Sequence, residues 1–302
     1  MKPRDLPPSA RATSFSTTAA QLAGVGRARL RRNDLCAPFH GVRHPSNTPP
    51  VTLEERCRAY AQVMADGMLF SHTTAADLYG LPLPASARGV IHVAAPRPRR
   101  APRAEGIVGH RITIAASQVR QTRGLLIPEP AQVFCQLGAL LAHDDLVRAG
   151  DALVQRKEPL TTLDELRAAV LDGQGRPGIR TLRQAIECVR PRTDSPMETT
   201  LRLAIVRAGL PEPEINYRIH LSAGRDAYLD LAYPALRVAV EYDGDHHRTD
   251  DRQYHRDGDR LWTIESNGWR IIRVNRSHMA NDAREATRRV RHALTSVGRN
   301  TP

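Results

Sequence analysis

The chain has 302 residues, of which 41% are hydrophobic and 25% charged, and carries a formal net charge of +12. That length suits two domains, each with a core of its own, and the composition excludes an intrinsically disordered chain. The charge disfavours an acidic solvated protein and favours a polyanionic partner, most often nucleic acid.

Residues 1–16 are rich in Pro, Ser and Arg and read as a frayed tail. A short helical pair over 18–23 and 27–34 follows, separated by Gly24-Val25-Gly26, and residues 38–43 have strand character. Two short helices and a ribbon give a winged-helix outline; an ordinary helical subdomain fits as well. Residues 52–66 predict an amphipathic helix, with Thr52 as N-cap and Glu55 three positions on. Residues 71–79 predict a second helix, closed by Gly80 and Pro82. Residues 90–95 and 106–114 read as strands. Between them Arg97, Arg99, Arg100 and Arg103 alternate with prolines in an exposed basic loop, either a phosphate contact or simply solvated. After an apolar run at 125–127, helices are expected over 131–141, 144–156, 163–171 and 179–189. The last part predicts helix 195–208, strands 215–219, 228–232 and 236–242, helix 251–266, strand 269–274 and helix 283–297. Strands flanked by helices indicate an α/β domain. The expected division is 1–50, a tail with the winged-helix outline; 51–193, a mainly helical α+β region; and 194–302, the α/β domain.

Charge follows this division. Residues 1–193 hold 27 basic and 16 acidic side chains, net +11, whereas 194–302 hold 17 and 16, net +1. Only Lys2 and Lys157 are lysines, so the basic surplus is arginine. Arginine makes bidentate phosphate contacts, and a GC-rich genome gives the same bias. Cys36, Cys57, Cys135 and Cys188 have no metal-ligand spacing, and free thiols are expected. No segment approaches the length of a membrane span, and the N-terminus lacks an apolar signal core. A cytoplasmic protein with no membrane partner is therefore expected.

The third strand of the last domain carries the chemistry. Val238 and Val240 share one face, and Ala239, Glu241 and Asp243 the other. Two carboxylates on one face of an apolar strand call for a metal or a hydrogen-bonded partner. The turn at Tyr233-Pro234-Ala235 suggests an antiparallel hairpin that brings Asp230 beside Glu241. Such a cluster is a hard-oxygen site suited to Mg²⁺ or Mn²⁺. Blander roles also exist: Ser195-x-x-Glu198 makes a capping box, Asp230 can pair with Arg237 or Arg225, and Asp243 can serve an Asp-Gly turn.

A helical Glu198, then Asp230, Glu241 and Asp243 on a hairpin, then Gly244-x-x-His247 and the strand Gly268-Trp269-Arg270-Ile271-Ile272-Arg273-Val274, resembles the PD-(D/E)XK nuclease superfamily. The likeness is greatest to its branch of very-short-patch repair (Vsr-type) endonucleases. The resemblance covers about residues 195–297. It implies a restriction-endonuclease-like domain, a central mixed sheet flanked by helices, with Asp230 and Glu241 as metal ligands and Glu198 as the first-helix acid. It implies His247 as general acid/base or phosphate contact. Asp243 stands where the superfamily usually has a lysine, a role His247 or Arg273 would have to fill.

The front part, with Ser71-His72-Thr73-Thr74-Ala75-Ala76-Asp77-Leu78-Tyr79-Gly80-Leu81-Pro82, resembles AbiEi-type antitoxin or transcriptional-regulator proteins. It implies double-stranded DNA as partner, with Arg27, Arg29, Arg31 and Arg32 on a DNA-facing helix as phosphate contacts. The expectation is a metal-dependent DNA endonuclease, and the alternative a DNA-binding regulator whose nuclease-like domain has lost turnover. The 4% aromatic content argues against single-strand stacking platforms.

Overall fold

A computed structural model of the chain describes Leu6 and residues 13–46, 48–221, 226–244 and 260–297. They form a mixed α/β fold in two compact units: Met1–Leu141 with Gly175–Gly178, and Ala142–Gln174 with Ile179–Pro302.

In the first unit, β1 (Phe15–Ser16) pairs antiparallel with β2 (Val42–Arg43). Helix α1 (Thr17–Leu22) starts at Ser16, whose Oγ accepts from the Ala19 amide at 3.4 Å. The helix expected over 27–34 is instead a 3₁₀ turn, Arg29–Arg31, anchored by buried Leu30. A segment opening on Gly24-Val25-Gly26, with no side-chain cap, nucleates nothing longer. Helix α2 (Leu53–Ala61) has the predicted capping box between Thr52 and Glu55. It stops short of residue 66 because Gly67, at φ +74°, turns the chain into β3 (Leu69–Phe70).

After α3 (His72–Leu78), the strands β4 (Ile91–Pro96) and β5 (Ile107–Ile112) pair in parallel, with β3 antiparallel on the other edge of β4. The first five residues of β4 are buried, as a central strand requires. The loop carrying Arg97, Arg99, Arg100 and Arg103 runs close over β5, since a Cβ on Gly109 would collide with the Pro102 carbonyl. Arg97, Arg99 and Arg100 are exposed in it. Strands β6 (Val119–Thr122) and β7 (Leu125–Pro128) form a hairpin through Arg123 and Gly124, both at positive φ. The first of these strands lies where the sequence pattern predicts none. Helix α4 (Pro130–Leu137) follows, ending at Gly138.

The second unit opens with helices α5 (His143–Leu153), α6 (Leu163–Asp172) and α7 (Ile179–Cys188), then α8 (Pro196–Arg207). They share a unit, ahead of the 193/194 boundary suggested by composition, and one ion pair accounts for much of that. The Arg202 guanidinium is 1% exposed and donates to Asp151 Oδ2 (2.9 Å), the Cys188 carbonyl (2.9 Å) and Glu212 Oε1 (2.8 Å). Asp151 also accepts from Thr199 Oγ1 (2.8 Å) and the Arg190 amide (2.7 Å). The cluster thus ties α5 and the end of α7 to α8.

Four strands make the sheet: β8 (Glu214–His220), β9 (Asp226–Tyr233), β10 (Val238–Asp243) and β11 (Arg270–Asn275), in the order β11-β10-β9-β8. The first three are antiparallel neighbours, and β11 runs parallel to β10. On one face Leu231, Val238, Val240, Ile272 and Val274 pack on Leu201, Ala204 and Ile205 of α8. The same cluster includes Ala286, Val290 and Ala293 of the closing helix α10 (Ala280–Val297). On the other, Ile219, Ala227, Leu229 and Ala239 surround Ile264 of α9, the helical residues 260–266.

The four cysteines are free thiols, with Cys57 and Cys135 buried. Among the described residues no helix is long and apolar enough to cross a membrane.

Candidate functional site

The β9–β10 turn is a 3₁₀ turn at Pro234–Leu236, with Arg237 at φ +48°. It fixes the register Val238↔Tyr233, Ala239↔Ala232 and Val240↔Leu231. Continuing that register carries Asp230 alongside Glu241, the arrangement expected from the hairpin. Asp230 Oδ2 accepts from the Tyr242 amide at 3.0 Å, leaving Oδ1 outside that bond. Of the blander pairings, Arg237 instead donates to the Asn267 carbonyl, and Arg225 lies outside the described residues.

Glu198 enters from the first turn of α8 and is 5% exposed. Ser195 Oγ accepts from the Glu198 amide at 3.2 Å, the first half of a capping box. The reciprocal half is displaced by one residue. Glu198 Oε2 accepts from the Asp194 amide (2.9 Å) and from Asn216 Nδ2 (3.3 Å) rather than from the Ser195 backbone amide. Asn216 is buried on β8 at φ +46° and is skipped in the pairing with β9. Asparagine tolerates this left-handed conformation better than most residues. The kink sits where Leu229 and Leu231 turn to opposite cores, and it aims the Asn216 amide at Glu198.

The three carboxylates feel one another. Burial, then the charges of Glu198 and Glu241, push the Asp230 carboxyl up to about 7. Burial also raises Glu198 above the ordinary carboxylate range. The compensating cation is Arg260, at the start of α9. Its guanidinium forks onto Glu241, Nη1 to Oε2 at 3.0 Å and Nη2 to Oε1 at 2.9 Å, and Nη2 also reaches the Tyr228 carbonyl at 2.6 Å. Asp243 pairs with Arg273 of β11 at 2.5 Å. The acid of β10 thus takes its cation from the neighbouring strand.

Of these groups Asp230, Asn216 and Arg260 line a cleft of about 580 Å³, together with Arg156, Asp194 and Tyr228 among others. Arg156 lies over the Tyr228 ring, 4.5 Å from its centroid, and is held by both oxygens of Asp194. Oxygen ligands from buried carboxylates fit a hard divalent cation, and burial is the main cause that raises Asp230. Glu198, Asp230 and Glu241 do not each bring an oxygen within 4.8 Å of both others. Among the described residues the group of His, Cys, Asp or Glu whose ligand atoms all lie within 4.8 Å is His72, His92 and His110.

The structure thus brings together Glu198, Asp230 and Glu241, and places Asp243 with Arg273 beside them. His247 lies outside the described residues. Arg27, Arg31 and Arg32 are exposed around the 3₁₀ turn, whereas Arg29 is forked onto Asp34 at 3.0 and 2.8 Å. Sequence reasoning missed Asn216, Arg156 and Arg260. Nothing local in the sequence marked any of the three.

No family model matches the chain. It is similar to the uncharacterized protein MT2308 of Mycobacterium tuberculosis strain CDC 1551, with 28% identity over 201 residues, covering 67% of this chain and 72% of that protein. The same figures hold for the uncharacterized protein Rv2248 of strain H37Rv. Among solved structures, the RV2827C protein from M. tuberculosis aligns with a TM-score of 0.39 and 17% identity, covering 69% of this chain and 84% of that one.

Proposed function

We propose that the chain is a metal-dependent DNA endonuclease hydrolysing phosphodiester bonds, with a restriction-endonuclease-like domain of the PD-(D/E)XK, Vsr-like type over 194–302. The observation that carries this reading is that Glu198 and Glu241, from a helix and a strand, act on Asp230, which lines a cleft together with Arg156 and Arg260. A mixed four-stranded sheet, entered from α8 and with α9 between β10 and β11, agrees with it.

In this reading Asp230 and Glu241 hold Mg²⁺ or Mn²⁺, with Glu198 supporting the ion or its water. When bound, such an ion polarises a phosphate oxygen and makes a water more acidic. Asp230, its carboxyl pushed up to about 7, would serve as a ligand in its deprotonated form. Arg156 and Arg273 offer guanidinium donors to the phosphates, while Asn216 holds Glu198 in place through Oε2. His247 keeps the acid/base or phosphate role implied by the resemblance. The exposed Arg27, Arg31 and Arg32 dock the duplex electrostatically.

The test is nicking of plasmid and mixed duplexes with Mg²⁺, Mn²⁺ or EDTA, beside Asp230→Ala and Glu241→Ala. Metal-dependent cutting lost in both variants is the expected result. The fork of Arg260 on Glu241 favours a second reading, a DNA-binding regulator or antitoxin-like protein whose cation stands where a metal would. Salt-dependent binding without cutting, unchanged in both variants, would select it. Absence of DNA binding overturns both readings.

A further inference from the structure

We propose that His72, His92 and His110, in the first unit, form a binding site for one borderline divalent transition-metal ion of the Zn²⁺ class. Their ligand atoms all lie within 4.8 Å of one another. The site does not depend on the nuclease reading and shares no residue with the carboxylate cleft.

The fold delivers the three rings from three places. His110 on β5 pairs with Ala94 of β4, so it shares a sheet face with Ala94 and with His92 two residues earlier. His92 Nδ1 and His110 Nε2 are 2.8 Å apart. His72 arrives from the β3–α3 junction, where the Ser71 amide is tied to the His92 carbonyl at 3.0 Å. His72 has φ +52°, unfavourable for a residue with a Cβ. Backbone strain of this kind clusters at functional sites. Here it stacks the His72 ring on His110 with centroids 3.6 Å apart.

The donor set selects the ion. His72 and His92 are each 8% exposed. Each ring offers one nitrogen to the cluster, and burial keeps water from His72 and His92. Three imidazole nitrogens suit Zn²⁺, Co²⁺, Ni²⁺ or Cu²⁺ and suit Mg²⁺ or Ca²⁺ poorly. In a tetrahedral Zn²⁺ site with Zn–N of about 2.1 Å, the nitrogens stand roughly 3.4 Å apart. The rings of His92 and His110 then part by about 0.6 Å, within the broad χ2 freedom of histidine. Three protein ligands leave the fourth position to water, as in sites that bind or activate a small molecule.

Full-length protein stripped with chelator is titrated with ZnCl₂ and, separately, CoCl₂. Bound metal, the visible absorption of tetrahedral Co²⁺ and Tm are recorded for wild type, His92→Asn, His110→Asn and His292→Asn. Circular dichroism checks that each variant is folded. The expected result is one ion per chain and a Tm rise of about 5 °C or more in wild type. His292→Asn, at an exposed histidine of α10 outside the cluster, should behave as wild type, and excess Mg²⁺ should not compete. Both histidine variants should lose more than the roughly 10–100-fold in affinity that an outer-shell change costs. Wild-type protein that takes up well under one ion per chain overturns the proposal. So does stoichiometric binding that survives in a folded histidine variant.

Discussion

At the residue scale, Asp230 makes a prediction with a definite sign. Its folded carboxyl is held at about 7, well above its ordinary value near 3.8, so the folded state binds the proton more tightly than the unfolded state. Its favourable contribution is complete below about pH 4 and is lost as pH rises through about 7. A tenfold change in proton affinity is worth roughly 1.4 kcal/mol, so the whole swing is on the order of a few kcal/mol. Asp230→Asn keeps an acceptor for the Tyr242 amide and removes the charge. In metal-free buffer it should be more stable than wild type at pH 8, and the gain should fall to less than half of that at pH 5. Urea melts at both values measure this; an equal loss at both would show that the carboxylate is not the destabilising element. Gly109 predicts the opposite direction. Gly109→Ala places a Cβ against the Pro102 carbonyl, a backbone atom that cannot step aside cheaply, and should cost about 1–3 kcal/mol in a thermal or urea melt.

The candidate site was partly legible at this scale for a physical reason. Glu198, Asp230 and Glu241 are acids in segments whose neighbours are apolar, and alternation along β10 put Glu241 opposite the core residues Val238 and Val240. Arg260 and Asn216 carried no such contrast. Arg260 is one of 42 arginines, and only three-dimensional proximity singles it out for Glu241. Asn216 sits in an ordinary strand pattern, and its left-handed backbone leaves no local trace in composition.

At the scale of elements, the ion pair between α5 and α8 is the feature with the largest consequence. Arg202 is fully enclosed and its Nε has no partner among the described residues, so the cluster has little slack. Asp151→Ala leaves a buried guanidinium relying on Glu212 and the Cys188 carbonyl. It should cost about 3–5 kcal/mol, and Asp151→Leu with Arg202→Met should recover a large part of that. Chemical denaturation of the single and double variants decides it, and a fully additive double variant would contradict the pairing. Helices and strands with apolar periodicity, such as α2 with its Thr52 cap and the β9–β10 hairpin, were readable in advance. The β6 strand was not, because Val119-Arg120-Gln121-Thr122 is polar and its arginine and glutamine side chains are exposed. The helix expected at 27–34 failed because a run of arginines after two glycines offers neither a cap nor an apolar stripe.

At the scale of the whole molecule, the +12 charge belongs mostly to residues before 194, and three of the arginines singled out there are exposed. Each phosphate neutralised contributes about 0.9 to the slope of log affinity against log salt. Replacing Arg27, Arg31 and Arg32 by alanine should therefore weaken duplex binding and lower that slope by about 2–3. Fluorescence anisotropy at several salt concentrations reads it directly, and an unchanged slope would remove these residues from the DNA-facing surface. Arg29 differs from its neighbours because Asp34 already neutralises it, so Arg29→Ala should move the slope least.

The first unit takes its last four residues, Gly175–Gly178, from a stretch lying between two helices of the second. The polypeptide therefore crosses between the units three times. A ribosome cannot release a finished first unit at residue 141, because its closing piece is synthesised only after α5 and α6. Equally, one protease cut cannot free either unit. A cut after Leu141 leaves the 175–178 strip covalently part of the downstream fragment yet packed in the first unit. Freeing the first unit together with its strip takes a cut at each of the three crossings, after residues 141, 174 and 178.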